Sequence, residues 1–248
     1  MKELFFVLMT FVTLFCIGQN KSGVAYYTKE SKLNNEKLNN SDVKEELKKA
    51  ISNVNETIGS NEYVLKFNPN FAKYQLVEKM NSDENSSFKN KLALAFSGFN
   101  GVAFFDKKIG HLIIKKEILD ETFLITTKFE EMNWILTKEK LILNGLTCYK
   151  AKKVLIKEGR NGVIETEITV WYTPEINLPY GPDGFGGLPG LIIQLENGNI
   201  VTTLDKIEFV DKEIKITLPT KGKKLTEGEF NAFMKDFSMN REKYINKN

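Results

Sequence analysis

The sequence predicts an α+β fold: a large twisted antiparallel β-sheet, a meander or a half-barrel, with helices on one face. Three observations predict it. Four Asn-Gly pairs, at 100–101, 144–145, 161–162 and 197–198, separate runs rich in β-branched and aromatic residues, and such flanked pairs are the strongest local hairpin signal. Two segments, around 43–54 and 230–237, instead space their apolar residues as a helix does. Between them lies Gly181–Ile192, read GPDGFGGLPGLI, with five of the 17 glycines and two of the 6 prolines. Glycine opens backbone angles closed to other residues and proline fixes φ, so this stretch prescribes one loop path.

Met1–Gly18 reads as a signal peptide. The apolar run Leu4–Cys16 behind Lys2 is too short to span a bilayer and suits the hydrophobic region of such a segment. Cys16 and Gly18 supply small residues for cleavage after Gly18; Leu14-Phe15 are too large for a lipobox before Cys16. Residues 19–248 then form a single domain, long enough for a sizeable core. No other stretch reaches the ~18–20 apolar residues of a membrane helix, so an integral membrane protein is not expected.

Ser22–Thr28 reads as the first strand, and Lys29–Asn40 as a polar, exposed connection. Asp42 and Glu45 form a capping box ahead of a helix over Val43–Asn53, whose apolar face carries Val43, Leu47, Ile51 and Val54. Strands follow at Tyr63–Phe67 and Phe71–Met80, with a polar segment at Asn81–Ser87. Leu92–Phe99 and Val102–Phe105 flank the first Asn-Gly as a hairpin. Gly110–Lys116, Thr122–Lys128, Trp134–Thr137 and Leu141–Leu143 lead to Leu146–Ile156 and Val163–Thr173. Leu191–Glu196 and Asn199–Leu204 pair across Asn197-Gly198, and the last strands are Asp205–Val210 and Glu213–Leu218. Thr226 and Glu229 cap a final helix that must bury Phe230, Phe233 and Phe237.

Residues in and around the glycine-rich loop carry a resemblance. Gly187–Ile192 reads GLPGLI; Cys148-Tyr149-Lys150-Ala151 resembles a C-x-K-A element, Trp171–Ile176 a W-Y-T-x-x-I element and Gly181-Pro182 a G-P element. In order and rough spacing these resemble the GLPGLI family, bacterial exported proteins of unassigned function, over about Trp134 to Gly198, roughly a quarter of the chain. In that family a Gly-Arg pair lies only a few residues before Trp-Tyr; here ten residues separate Gly159-Arg160 from Trp171, so no role passes to Arg160. The resemblance implies export and a shared fold and implies no reaction. By element order the chain is also similar to half-barrel carriers of the periplasm such as the outer-membrane lipoprotein carrier.

Chemistry-bearing residues are few. A net charge of +3 with acids and bases interleaved does not argue for nucleic acid. The one histidine, His111, sits in a strand and lacks a partner motif for nucleophilic catalysis. After cleavage one cysteine remains, Cys148, which reads as a buried strand residue, or else as a reactive thiol or one half of an intermolecular disulfide. One His and one Cys are poor material for zinc or copper, and no calcium loop is present, so neither metal nor cofactor is expected. Glu165 and Glu167 share a strand face; they read as a solvated face, or as a carboxylate pair.

The loop reads in two ways. It lacks the Lys-Ser/Thr of a phosphate cradle. As structure, Gly181, Pro182, Gly187, Pro189 and Gly190 shape a turn that wraps Phe185 and Leu188 into the core. As function, the loop is a lip on which Phe185, Leu188 and either Trp171 or Tyr172 meet a ligand or partner. The expected function is a non-enzymatic binding or chaperone-like module in the periplasm or secreted, for an apolar small molecule, lipid or peptide, or for an outer-membrane protein. The alternatives are a carboxylate-dependent envelope hydrolase and an accessory subunit of an outer-membrane transport system.

Overall fold

A computed structural model describes residues 22–33, 44–77, 91–159 and 162–245. The expected signal peptide, the Asp42 cap and the Asn81–Ser87 segment lie outside these residues. The strands are β1 Ser22–Ser31, β2 Tyr63–Phe67, β3 Phe71–Leu76, β4 Val102–Asp106, β5 His111–Ile118, β6 Glu121–Lys128, β7 Ile135–Leu143, β8 Leu146–Gly159, β9 Gly162–Thr173, β10 Leu191–Asn197, β11 Ile200–Val210 and β12 Lys223–Thr226. The helices are α1 Glu45–Ser60, α2 at residues 91–96, α3 Glu227–Met239 and α4 Arg241–Ile245.

The described strands form one unclosed sheet in the order β12-β6-β5-β4-β3-β2-β1-β11-β10-β9-β8-β7. It consists of two meanders, β2 to β6 and β7 to β11. Strand β1 joins them by pairing antiparallel with both β2 and β11. Only β12 runs parallel to its neighbour, β6. The expected twisted antiparallel sheet is therefore present, with one parallel edge.

The inner face follows from period-two alternation. Ala25, Tyr27 and Lys29 of β1 are fully buried, whereas Thr28 and Glu30 are exposed. Directly opposed residues share a face. Lys29 opposes Thr202, Tyr27 opposes Tyr63, and Leu65, Tyr74, Ala103, Ile114 and Ile125 continue the row through β6. The rings of Tyr63 and Tyr74 stack at 5.9 Å, and offset aromatic pairs add to the apolar area they bury. The helices lie on this face. Ile58 of α1 packs with Ala93 of α2 and Ile200, while Phe230 of α3 packs on Phe123 and Ile125.

Several expectations need correction. Residues 91–96, within a run read as a strand, are helical, and Asn100-Gly101 is therefore no hairpin turn. Asn144-Gly145 and Asn197-Gly198 do stand at hairpins, and β8 pairs with β9 up to Gly159 opposite Gly162; Asn161 lies outside the described residues. Helix α1 begins at Glu45 with Lys44 as an N-cap that makes no side-chain bond, and it runs on to Ser60. Asp205–Val210 continues β11 instead of forming a new strand. Glu213–Leu218 joins no ladder; the strand that does form is β12, further on. Lys29 belongs to β1 and not to an exposed connection.

Candidate ligand cavity

The loop after β9 is tied down by its own backbone. Gly187 N–H donates to Pro179 O at 3.0 Å, Ile192 N–H to Tyr180 O at 3.0 Å, and Leu191 N–H to Ile176 O at 3.0 Å. From outside, the Trp134 indole donates to Gly186 O at 2.8 Å and the Tyr27 hydroxyl to Ile192 O at 2.8 Å. Geometry requires glycine along this path, at Gly190 and Gly187 among others. At Gly190 a Cβ would lie 2.0 Å from Thr173 O, and Gly187 has φ +79° with Phe129 alongside. Gly181 and Pro182 are buried, while Pro189 is exposed.

At the loop's turn Asp183 adopts a left-handed conformation, φ 57° and ψ 23°, a region an aspartate tolerates better than most residues. This aims its carboxylate at the sheet. Lys29 Nζ lies 2.8 Å from each carboxylate oxygen, Tyr74 donates to Oδ1 at 2.9 Å and Thr202 to Oδ2 at 3.3 Å. The ammonium also donates to Ser97 O at 2.8 Å and lies 4.4 Å from the Tyr63 ring centroid. Both charged side chains are almost wholly buried, at 0% and 1% exposure. Burial pushes the Lys29 pKa down, and Asp183 opposes that shift. Burial, reinforced by Asp183, pushes the Tyr74 hydroxyl well up. A buried charge is tolerated when paired and fully hydrogen-bonded. Here the pair pins the loop to the middle of the sheet.

Beside this anchor opens a cavity of about 780 Å³. Its floor is Leu112 and Ile114 of β5 with Ile125 and Thr127 of β6. One wall is the loop, at Asp183, Gly184 and Phe185; another is β8, at Lys153 and Leu155; α3 closes over it with Phe230 and Met234. Strands from both ends of the sheet thus face one space, as in a half-barrel closed by a helix. The α3 cap is the one its sequence implies. Glu229 N–H donates to Thr226 Oγ1 at 3.2 Å, and Thr226 N–H donates to Glu229 Oε2 at 2.8 Å.

Of the four residues expected at the site, the structure places Phe185 on the cavity wall. Leu188 is buried with Ile192, Leu195 and Tyr172. Trp171 and Tyr172 do not line the cavity. Trp171 is half-buried beneath the Lys150 ammonium, which lies 5.7 Å from the ring centroid, and Tyr172 packs against Tyr149. Reading the sequence missed Lys29, Asp183, Lys153 and Phe230 as parts of the site. The period-two series Ala25, Tyr27, Lys29 was the signal available for the first.

The other chemical candidates lie elsewhere. Glu165 and Glu167 are exposed; Glu167 bonds Lys152 at 3.0 Å, which holds its carboxyl below the usual range. Cys148 is buried, its thiol pushed up chiefly by desolvation. His111 is half-buried in β5, opposite Asp106 and Lys128. Among the described residues no three His, Cys, Asp or Glu side chains group as metal ligands, and no helix is long and apolar enough to cross a membrane. The outer parts of β8 and β9 expose Val154, Val163 and Ile164.

The fold and cavity define a class: an open, helix-covered antiparallel sheet with a cavity beside an anchored loop. Residues 156–194, from the end of β8 into β10, match the model of a family described as "Protein of unknown function (Porph_ging)". No curated protein matches the chain. Among solved structures, PNGF-II in its P21 space group is similar with a TM-score of 0.50, and in its C2 space group with a TM-score of 0.49, both at 12% identity. The similarity covers 86% of this chain and 32% of PNGF-II. This chain thus spans about a third of the solved structures it resembles, and at that identity the P21 likeness shows a shared fold only.

Proposed function

We propose that this chain is an exported, non-enzymatic binding module of the GLPGLI family that holds an apolar molecule, or the apolar part of one, in the cavity under α3. The observation that carries the reading is the cavity itself. Its volume of about 780 Å³ falls within the roughly 300–1,000 Å³ of small-molecule sites. Phe99, Leu112, Ile114, Ile125, Phe185 and Phe230 give it apolar walls, so burial of ligand surface at ~25 cal/mol per Å² is the main source of affinity. The hydrolase alternative draws no support from Glu165 and Glu167, which stand outside the cavity. Met1–Gly18 supports export.

The test is titration with the neutral apolar fluorophore N-phenyl-1-naphthylamine. Wild type is expected to show one saturable site. Leu155→Trp, which fills the cavity from β8, is expected to abolish it. Val154→Ser with Val163→Ser, on exposed residues that do not line the cavity, is expected to leave it unchanged. Wild type with no saturable binding, or binding lost only in the surface variant, overturns the reading.

A further inference from the structure

The cavity is not uniformly apolar. Lys116, Lys153 and Lys235 reach its lining, against Glu227 and Asp183. Asp183 is neutralised by Lys29 at 2.8 Å.

Lys153 is placed most tellingly. It stands on β8 opposite Ile168 and two residues from Leu155, so its stem and Leu155 share the face that lines the cavity. The side chain is half-buried. Its ammonium lies 4.0 Å from Met132 Sδ and 5.6 Å from the Trp134 ring centroid. Among the described residues no carboxylate lies within salt-bridge distance of it. A thioether is a weak acceptor, so this half-desolvated ammonium lacks the charged or strong hydrogen-bonding partner that burial ordinarily demands. Burial pushes its pKa down, with Glu227 acting against the shift. Glu227 itself accepts from Thr127 at 3.5 Å on the α3 side. An apolar pocket with one under-partnered cation in its wall is complementary to a molecule with an apolar body and one anionic end.

Resting on the binding reading above, we infer that the cavity takes a single-chain amphiphile with an anionic head, a carboxylate or a phosphate monoester, and that Lys153 holds that head. The chain lies along Ile114, Leu155 and Phe230 while the head displaces Met132 as the partner of the ammonium. A charge-assisted hydrogen bond made in a partly desolvated site is stronger than its neutral counterpart.

The test uses the whole mature chain and two matched fluorophores, 11-(dansylamino)undecanoic acid and its methyl ester. Wild type is expected to bind the acid at least about tenfold more tightly than the ester, as a bond to a charged group of ~1.5–3 kcal/mol implies. Lys153→Met should abolish the ratio of acid to ester affinity; Lys153→Arg should keep most of the preference. Competition by dodecanoate and by dodecyl phosphate then tells which head is favoured. If wild type binds acid and ester equally, the anionic-head inference is overturned while the cavity reading stands. If neither fluorophore nor the neutral naphthylamine binds, the cavity reading fails first. Should Lys153→Met not fold, the wild-type comparison and Lys153→Arg still decide.

Discussion

Lys29 and Asp183 lie 154 residues apart in the chain, yet the lysine ammonium sits 2.8 Å from both oxygens of the aspartate. One belongs to the strand that joins the two meanders, the other to the glycine-rich loop. Their contact fixes where the loop rests on the sheet, and hence the wall that Phe185 gives the cavity. Breaking one partner leaves a buried charge uncompensated, which costs about 3–5 kcal/mol. Lys29→Met and Asp183→Asn are each expected to fall in that range in urea unfolding. Lys29→Met combined with Asp183→Leu should cost less than the sum of the singles. Strict additivity would mean that the two charges do not depend on each other.

Buried tyrosines set the alkaline limit. Burial raises the hydroxyls of Tyr27, Tyr74 and Tyr180, and pushes Tyr63 up to about 12. Each holds its proton more tightly in the folded chain than in the unfolded one, where tyrosine titrates near ~10. Their stabilisation is therefore fully present below pH ~10 and is lost as pH rises above it. Lys29, Lys73 and Lys153 run the other way, since burial lowers their pKa values on folding, but Lys73 and Lys153 are only half-buried whereas all four tyrosines are fully buried. Tyrosinate absorbance should show a delayed class of tyrosines that appears together with the loss of circular dichroism. Ionisation of all 8 tyrosines near pH ~10 with the fold intact would contradict this.

The glycines of the loop are expected to rank by geometry. Gly190→Ala drives a Cβ to 2.0 Å from the Thr173 carbonyl, and Gly187→Ala combines φ +79° with contact at 3.0 Å to Phe129. Gly198→Ala has φ +59° and open space around it. The first two should each lower stability by more than ~1 kcal/mol, and Gly198→Ala by about that amount. Thermal unfolding in which all three behave alike would mean the loop path is not constrained.

The hairpins were legible because Asn144-Gly145 and its counterparts encode a turn in two adjacent residues. Asn144 and Gly145 both take positive φ, 52° and 76°, as a tight hairpin requires. What was illegible depended on partners far away. Residues 91–96 are too short and apolar for periodicity to separate helix from strand, and packing of Ala93 against Ile58 and Ile200 decides it. Strand β12 exists because β6 offers a parallel edge at Phe123–Thr126, which nothing in Lys223–Thr226 announces. Asp183 was seen as part of a turn, and its role needs Lys29, which seemed to lie beyond the end of a strand. For the same reason Phe185 was found and Lys153 was not: an aromatic in a glycine-rich loop stands out, whereas a lysine among lysines of β8 does not.

Helix α3 is expected to be the least stable wall of the cavity. Phe230 is its one buried residue among those described, against a β1–β3 region that buries Tyr27, Tyr63, Leu65, Phe67 and Tyr74 completely. Few buried apolar contacts mean a low free energy of local opening. The Thr226–Glu229 box then matters more than it would in a well-packed helix. Thr226→Ala removes the acceptor for Glu229 N–H and should destabilise α3 by about 1 kcal/mol. Amide exchange across 227–239 should be faster than in β1 and β2 of wild type, and faster again in Thr226→Ala, with the sheet amides unchanged. Saturation with the dansyl acid should slow exchange in α3 selectively, because a ligand held by Leu155 and Phe230 binds the closed helix only. In Thr226→Ala the same ligand should bind more weakly by a factor set by the fraction of chains whose helix is open. Exchange in α3 as slow as in β1, or no ligand protection there, would show that the helix is a fixed part of the core and not the side on which the cavity opens.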